Sequence, residues 1–229
     1  MKAIIFSLLG WMFLPVMDGF AKFLSDDLPI LQITWARYFF TVVFTLPIMM
    51  FFFKKQLVWT DKPKLQILRG LILLSANICF FYAISIISLA KALTLAFVAP
   101  LIVTAFSPLM LGERVGFRRW TAVVVGFIGS LVVIRPGFVE LNFASFAALG
   151  TGILYGFYLI ITRKLSTSDN PLLTLLLTGM VGAILVSAVI PFYWVKPTLN
   201  QWSLMAGIGV FACIGHLFLI LSLKYADAS

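Results

Sequence analysis

Eight apolar runs, each long enough to cross a bilayer, follow one another along 229 residues with only short polar breaks between them. A membrane-spanning helix needs roughly 20 apolar residues at ~1.5 Å each. The runs fall at about Ala3–Leu24, Ile30–Phe53, Gln66–Ile87, Ala92–Leu111, Trp120–Ile134, Phe143–Thr162, Leu172–Trp194 and Trp202–Leu223. Segments like Ser25-Asp26-Asp27-Leu28-Pro29, Asp61-Lys62-Pro63 and Ser168-Asp169-Asn170-Pro171 are turn and cap signals. The expected fold is all-α, a polytopic transmembrane bundle of about eight helices. The fifth run is short and glycine-rich, so its helix is expected to start earlier than Trp120 or to tilt little.

Composition points the same way. Hydrophobic residues make up 62% and charged residues 11%, and mean hydropathy is +1.09. That is too little charge to coat a water-soluble globule, so lipid is the expected solvent of much of the surface. The net charge of +9 sits in short clusters between spans. Such clusters set membrane orientation and do not indicate nucleic acid.

With a cytoplasmic N-terminus, the cytoplasmic side receives Lys2, Lys54, Lys55, Lys62, Lys64, Arg69, Arg114, Arg118, Arg119, Arg163, Lys164 and Lys224. The other side receives Lys22, Arg37, Lys91, Arg135 and Lys196. Twelve against five favours that orientation. The first run carries Asp18 and Lys22 and no cleavage site follows it, so it reads as a span rather than a signal peptide.

A weak internal repeat is in register. Residues 21–31 align without a gap on 163–173, matching Lys22 with Lys164, Asp27 with Asp169 and Pro29 with Pro171. Leu89-Ala90-Lys91-Ala92 corresponds to Tyr225-Ala226-Asp227-Ala228. Helix 6 follows helix 1 by five spans, an odd number, so the copies would be inverted. Helices 1–3 should then superpose on helices 6–8 about an axis in the membrane plane.

A charge at a helix centre costs at least about 2.5–3.5 kcal/mol on insertion scales, so polar residues inside spans are expected to face inward or to pair. Helix 1 carries Trp11, Asp18 and Lys22 on one face, and helix 2 carries Arg37. Helix 3 offers Tyr82 with Ser75 and Cys79, and Asn77 on a neighbouring face. Helix 6 offers Tyr155 and Tyr158, and helix 8 brings His216. Nine of these, Trp11, Asp18, Lys22, Arg37, Asn77, Tyr82, Tyr155, Tyr158 and His216, are the candidates to line a polar, aromatic cavity suited to an organic solute.

Asp18 lies ~9 Å from the end of helix 1 and Arg37 ~10 Å into helix 2. At similar depths, Asp18 is expected to pair with Lys22 or Arg37, as a carrier of a coupling proton or as a latch. Asn77 and His216 would equally serve as helix–helix hydrogen bonds, and the spacing of Gly152 and Gly156 suits close packing. No nucleophile–base set, metal motif or phosphate loop occurs, so no cofactor, no enzyme activity and no ATP-driven pumping is expected.

Several segments together resemble the EamA-type transporters of the drug/metabolite transporter superfamily. They are Trp35-Ala36-Arg37-Tyr38-Phe39, Leu89-Ala90-Lys91-Ala92 leading to Ala99-Pro100, Leu111-Gly112-Glu113-Arg114, and Gly126–Gly129 followed by Val133-Ile134-Arg135-Pro136-Gly137. The resemblance implies two five-helix repeats: 1–137 as the first, with helices 1–5, and 138–229 as an incomplete second, with helices 6–8. Helices 9 and 10 of that pattern are not in this chain, so a groove beside helix 4 would be filled by them or by a second copy in a homodimer.

The implied function is secondary active transport of a small polar metabolite across the cell inner membrane by alternating access, proton-coupled or by exchange. The competing readings are a non-transporting membrane subunit or a fragment of a transporter, and an intramembrane enzyme. The partners expected are the small-molecule substrate and the lipid bilayer.

Overall fold

A computed structural model describes residues 1–52, 60–134 and 142–226. The expected Lys54 and Lys55 loop, Arg135-Pro136-Gly137 and Asp227-Ala228 lie outside the described residues. The elements are α1 (Lys2–Leu24), α2 (Ile30–Phe52), α3 (Pro63–Ile86), α4 (Leu89–Ala96), α5 (Ala99–Leu111), α6 (Phe117–Ile134), α7 (Phe143–Ser166), α8 (Pro171–Val189) and α9 (Leu199–Tyr225). A 3₁₀ turn, Ile190–Tyr193, follows α8. Among the described residues, seven spans are long and apolar enough to cross a membrane, with α4 and α5 together forming one of them.

The helix starts follow from local chemistry. Pro63 and Pro171 open α3 and α8 at the first helical turn, where a missing N–H costs nothing. Asn142, Asn170 and Thr198 cap α7, α8 and α9 through their side-chain oxygens. Gly112 ends α5 in the left-handed region at φ 70°, which a residue without Cβ adopts freely.

Two boundaries differ from expectation. The helix of the fifth run, α6, begins at Phe117, three residues before Trp120, and is not among those seven spans. The fourth span, expected to run unbroken from Ala92 to Leu111, is interrupted at Phe97–Val98. Pro100 has no N–H to give to the Ala96 carbonyl four residues back and its ring crowds that carbonyl, so α4 ends there and the chain restarts as α5 with Pro100 in its first turn. Backbone irregularity at membrane depth is tolerated where it is buried in protein or lines a cavity.

The bundle is organised inside out relative to a soluble protein. Apolar side chains such as Ile4, Leu8, Met12, Phe51, Val125 and Ile184 face outward. Arg69, Gln32, Thr34, Ser107 and Thr162 are fully buried. Lipid is as apolar as a Leu side chain, so burial inside the protein selects for polar pairing rather than for oiliness.

The principal packing pairs are α1 with α9, α3 with α7, and α2 with both α8 and α9. The break between α4 and α5 is pressed against α7. A Cβ on Gly152 would lie 2.6 Å from the Ala96 carbonyl oxygen, and one on Gly156 2.7 Å from Ile102 Cβ. Only glycine admits that approach at Gly152, because the obstacle is backbone. Helix α6 packs mainly on α4 and α5.

Candidate functional site

A cavity of about 140 Å³ sits mid-bundle, between α1, α3, the α4–α5 break, α7 and α9. Its wall includes five of the nine residues expected from sequence: Trp11, Asp18, Asn77, Tyr155 and His216. The break contributes Ala96, Phe97, Ala99 and Pro100, and α3 contributes Phe80. Trp11 meets Tyr155 edge to face at 6.2 Å, and Tyr155 stacks on Tyr158 at 5.3 Å. The result is one carboxylate facing an aromatic wall, a surface that suits a flat or apolar body carrying polar groups.

Behind that wall runs a buried chain of hydrogen bonds. Arg37 Nη2 lies 2.6 Å from His216 Nε2. A guanidinium has no acceptor, so Nε2 offers the lone pair and the neutral ring carries its proton on Nδ1. That Nδ1–H donates to Tyr158 Oη at 3.1 Å. Tyr158 Oη also accepts from Arg69 Nη2 at 2.8 Å.

Arg69 is the hub beyond. Its Nε donates to Thr162 Oγ1 at 2.8 Å, and its Nη1 to the Thr174 carbonyl at 3.1 Å and to the Thr178 hydroxyl. Its guanidinium also lies 4.7 Å over the Tyr158 ring. Gln66 continues the network, donating to Thr174 Oγ1 at 3.1 Å and to Asp169 at 2.6 Å. This side of the bundle, where α1 begins, is therefore closed by polar contacts between α3, α7 and α8.

The same face holds the Leu111-Gly112-Glu113-Arg114 segment. Glu113 forms an ion pair with Arg163 at 3.3 Å, and Arg163 Nη1 donates to the Leu223 carbonyl at 2.7 Å. The motif thus ties the end of α5 to the ends of α7 and α9.

Four expectations need correction or refinement. Among the described residues Asp18 has no hydrogen bond and lies in no ion pair, so the pairing with Lys22 or Arg37 is not formed. Equal depth says nothing of azimuth: the polar edge of Arg37 is turned to α9, where His216 holds it. Lys22 is half-buried near the end of α1 and does not line the cavity.

Tyr82 also lies elsewhere. It is five residues after Asn77, about 140° further round the helix, and packs edge to face on Phe143 at 5.9 Å. Asn77 both lines the cavity and ties helices together, donating to Tyr38 Oη at 2.8 Å and to the Leu73 carbonyl at 2.6 Å.

Sequence alone places Arg69 among the cytoplasmic cations rather than in the site, because it stands four residues into the third run. It is 0% exposed. The signal was present: Gln66, Arg69, Leu73 and Asn77 recur at helical spacing on one face. Without the two buried arginines the charge bias reads eleven against four, in the same direction.

Known proteins match both the sequence and the fold. Residues 1–135 match the model of the EamA-like transporter family. The chain is 27% identical to an S-adenosylmethionine uptake transporter of Rickettsia bellii over 221 residues, covering 94% of this chain and 75% of that protein. It is 24% identical to a riboflavin transporter of Vibrio cholerae over 218 residues, covering 93% and 73%. It is 27% identical to a pseudopaline exporter of Pseudomonas aeruginosa over 221 residues, covering 93% and 75%.

A crystal structure 16% identical in sequence aligns with a TM-score of 0.76, over 97% of this chain and 80% of that one, and shows the shared fold. The relatives are transporters, so this multi-pass membrane protein is a small-molecule transporter of the drug/metabolite type rather than an enzyme. With the family model matching more than half of the chain, the protein belongs to the EamA-like transporter family.

Proposed function

We propose that this chain is a secondary active transporter that moves a small polar organic metabolite across the cell inner membrane by alternating access, with Asp18 carrying a coupling proton. One observation carries the reading. A mid-bundle cavity contains a buried carboxylate that is in no ion pair among the described residues, opposite an aromatic wall and a broken helix. A buried carboxylate outside any ion pair can carry a proton, and a solute or a change of access to water can release it. The relatives move S-adenosylmethionine, riboflavin and pseudopaline, in some cases inward and in others outward. An organic solute of that size class is the cargo proposed here. The test is counterflow of labelled solutes into vesicles holding the purified chain, with saturable uptake above empty vesicles as the expected result.

The five-plus-three inverted repeat is part of the proposal, and the packing supports it. Exchange of helices 1–3 with 6–8 turns the α1–α9 contact into the α7–α3 contact and the α2–α8 contact into itself, and these are among the principal pairs. Two polar ties follow the same exchange. Gln201 at the start of α9 donates to Asp27 at 3.1 Å, and Gln66 at the start of α3 donates to Asp169 at 2.6 Å. The pair at the α1 start is buried and the other exposed. With the arginine hub beside it, this asymmetry fits a conformer shut on the α1-start side.

In the proposed orientation that shut side is cytoplasmic. In a background with Cys79 and Cys213 replaced by Ala, Asp26→Cys should react with an impermeant maleimide added to intact cells, and Lys62→Cys should react only after the membrane is opened. The reverse pattern would invert the topology.

A further inference from the structure

The polar side chains around the central cavity commit most of their donors to one another and leave acceptors toward the void. The hydrogen on His216 Nδ1 goes to Tyr158, and the Nε2 lone pair faces Arg37. The Thr151 hydroxyl donates to the Ala147 carbonyl at 3.0 Å or to the Ala76 carbonyl at 3.2 Å. Tyr155 gives the cavity its ring, since its hydroxyl is fully buried. Asn77 commits both amide hydrogens, to Tyr38 Oη at 2.8 Å and to the Leu73 carbonyl at 2.6 Å.

Those two bonds fix which way the Asn77 amide points. A carbonyl only accepts, so the atom at Leu73 is nitrogen and the other end of the amide is Oδ1. Among the described residues Oδ1 has no partner, and Asn77 stands in the wall of the 140 Å³ cavity at 8% exposure. An amide oxygen has two lone pairs, and beside apolar walls it stays unsatisfied until a donor arrives. Asp18, when ionised, adds acceptors only. The Trp11 indole N–H is the side-chain donor set against them.

We propose that Asn77 Oδ1 is the specificity-determining acceptor of the solute site, and that it selects a solute whose ring-bearing end carries an N–H donor. An amide, an amino group or a ring N–H each qualifies. The ring lies against Trp11, Phe80, Phe97 and Tyr155, and the N–H donates to Oδ1. A cavity of ~150 Å³ holds a benzene ring, so this one reads one end of a larger solute. Tyr38 and Leu73 act as positioning groups, because they hold the amide nitrogen away from the void. The assignment rests on the central cavity being the solute path.

The test uses benzamide and acetophenone, which share a ring and a carbonyl and differ by an NH₂ in place of a CH₃. Binding to the full purified chain is read from the concentration dependence of thermal stabilisation. Wild type should bind benzamide about three- to tenfold more tightly than acetophenone, the range for one neutral hydrogen bond. Asn77→Leu keeps a side chain of similar size without Oδ1 and should abolish that preference. Tyr38→Phe removes one tie on the amide nitrogen and leaves Oδ1 in place, so it should keep most of the preference. An Asn77 that served only to join helices would leave the ratio of the two probes unchanged in every variant. Ala96→Trp, which fills the cavity, should abolish binding of both probes.

If Asn77→Leu does not fold, the wild-type pair with Tyr38→Phe and Ala96→Trp still decides the matter. Equal affinity for the two probes, binding of neither, a preference that survives in folded Asn77→Leu, or binding that survives in Ala96→Trp overturns the assignment. The outcomes also separate it from the transport reading. Vesicle flux with no preference for N–H solutes removes the assignment and leaves transport. Benzamide-selective binding with no flux of any solute supports the assignment and removes transport.

Discussion

Arg69→Met is expected to lower the melting temperature of the purified protein by on the order of 10 °C and to stop solute flux. The substitution keeps a long apolar stem but deletes a hub that joins α3 to α7 and α8 through Tyr158, Thr162, Thr174 and Thr178. Interhelical hydrogen bonds in membranes contribute about 0.6 to 1.7 kcal/mol each, so four of them lose on the order of 2–7 kcal/mol. The hydroxyls left behind can in part rebond to their own helices. Thr162 and Thr178 already donate to carbonyls four residues back, which keeps the loss toward the lower end. Arg69→Lys should recover little, because one ammonium cannot reach acceptors spread around a planar fork. Thermal melting in detergent, read by intrinsic fluorescence, gives the number. A shift of less than about 2 °C would mean that the hub does not hold the closed face together.

Asp18→Asn should abolish uphill accumulation driven by a proton gradient while sparing solute counterflow. The amide preserves shape and hydrogen-bonding capacity but cannot gain or lose a proton. Counterflow needs only the substrate-loaded carrier to reorient, whereas concentrative uptake needs the coupling charge to change. The latch alternative predicts the opposite sign, a faster downhill leak in Asp18→Asn. The geometry speaks against it, since no ion pair joins Asp18 to Lys22 or Arg37 among the described residues. Parallel assays of gradient-driven uptake and counterflow in the same vesicles separate the two. Full uphill transport by Asp18→Asn would remove Asp18 from coupling.

What was legible in the sequence was whatever one helix decides alone. The spans follow from hydropathy. The inward placement of Asp18 and His216 follows from the free energy of a polar group in lipid, and both are buried in the cavity wall. The break at Phe97–Val98 had a local signal in Pro100, but its position depended on α7 offering glycine at Gly152 to let the interrupted backbone in.

What was not legible was azimuth between helices. Asp18 and Arg37 stand at similar depth, yet the polar edge of Arg37 turns to α9. Arg69 sits near a span end, where depth alone makes it a surface cation. Its burial depends on Thr162, Thr174 and Thr178, which are 93 to 109 residues away in sequence.

Blocking the cavity tests the central claim most directly. Ala96→Trp places a large ring at the helix break, on the wall of the 140 Å³ cavity, at a half-buried position where the fold has room to adjust. Labelled-solute counterflow should be saturable in vesicles with the wild-type chain and should fall to the level of empty vesicles with Ala96→Trp, at unchanged elution volume and melting temperature. Undiminished flux through folded Ala96→Trp would contradict transport by way of this cavity.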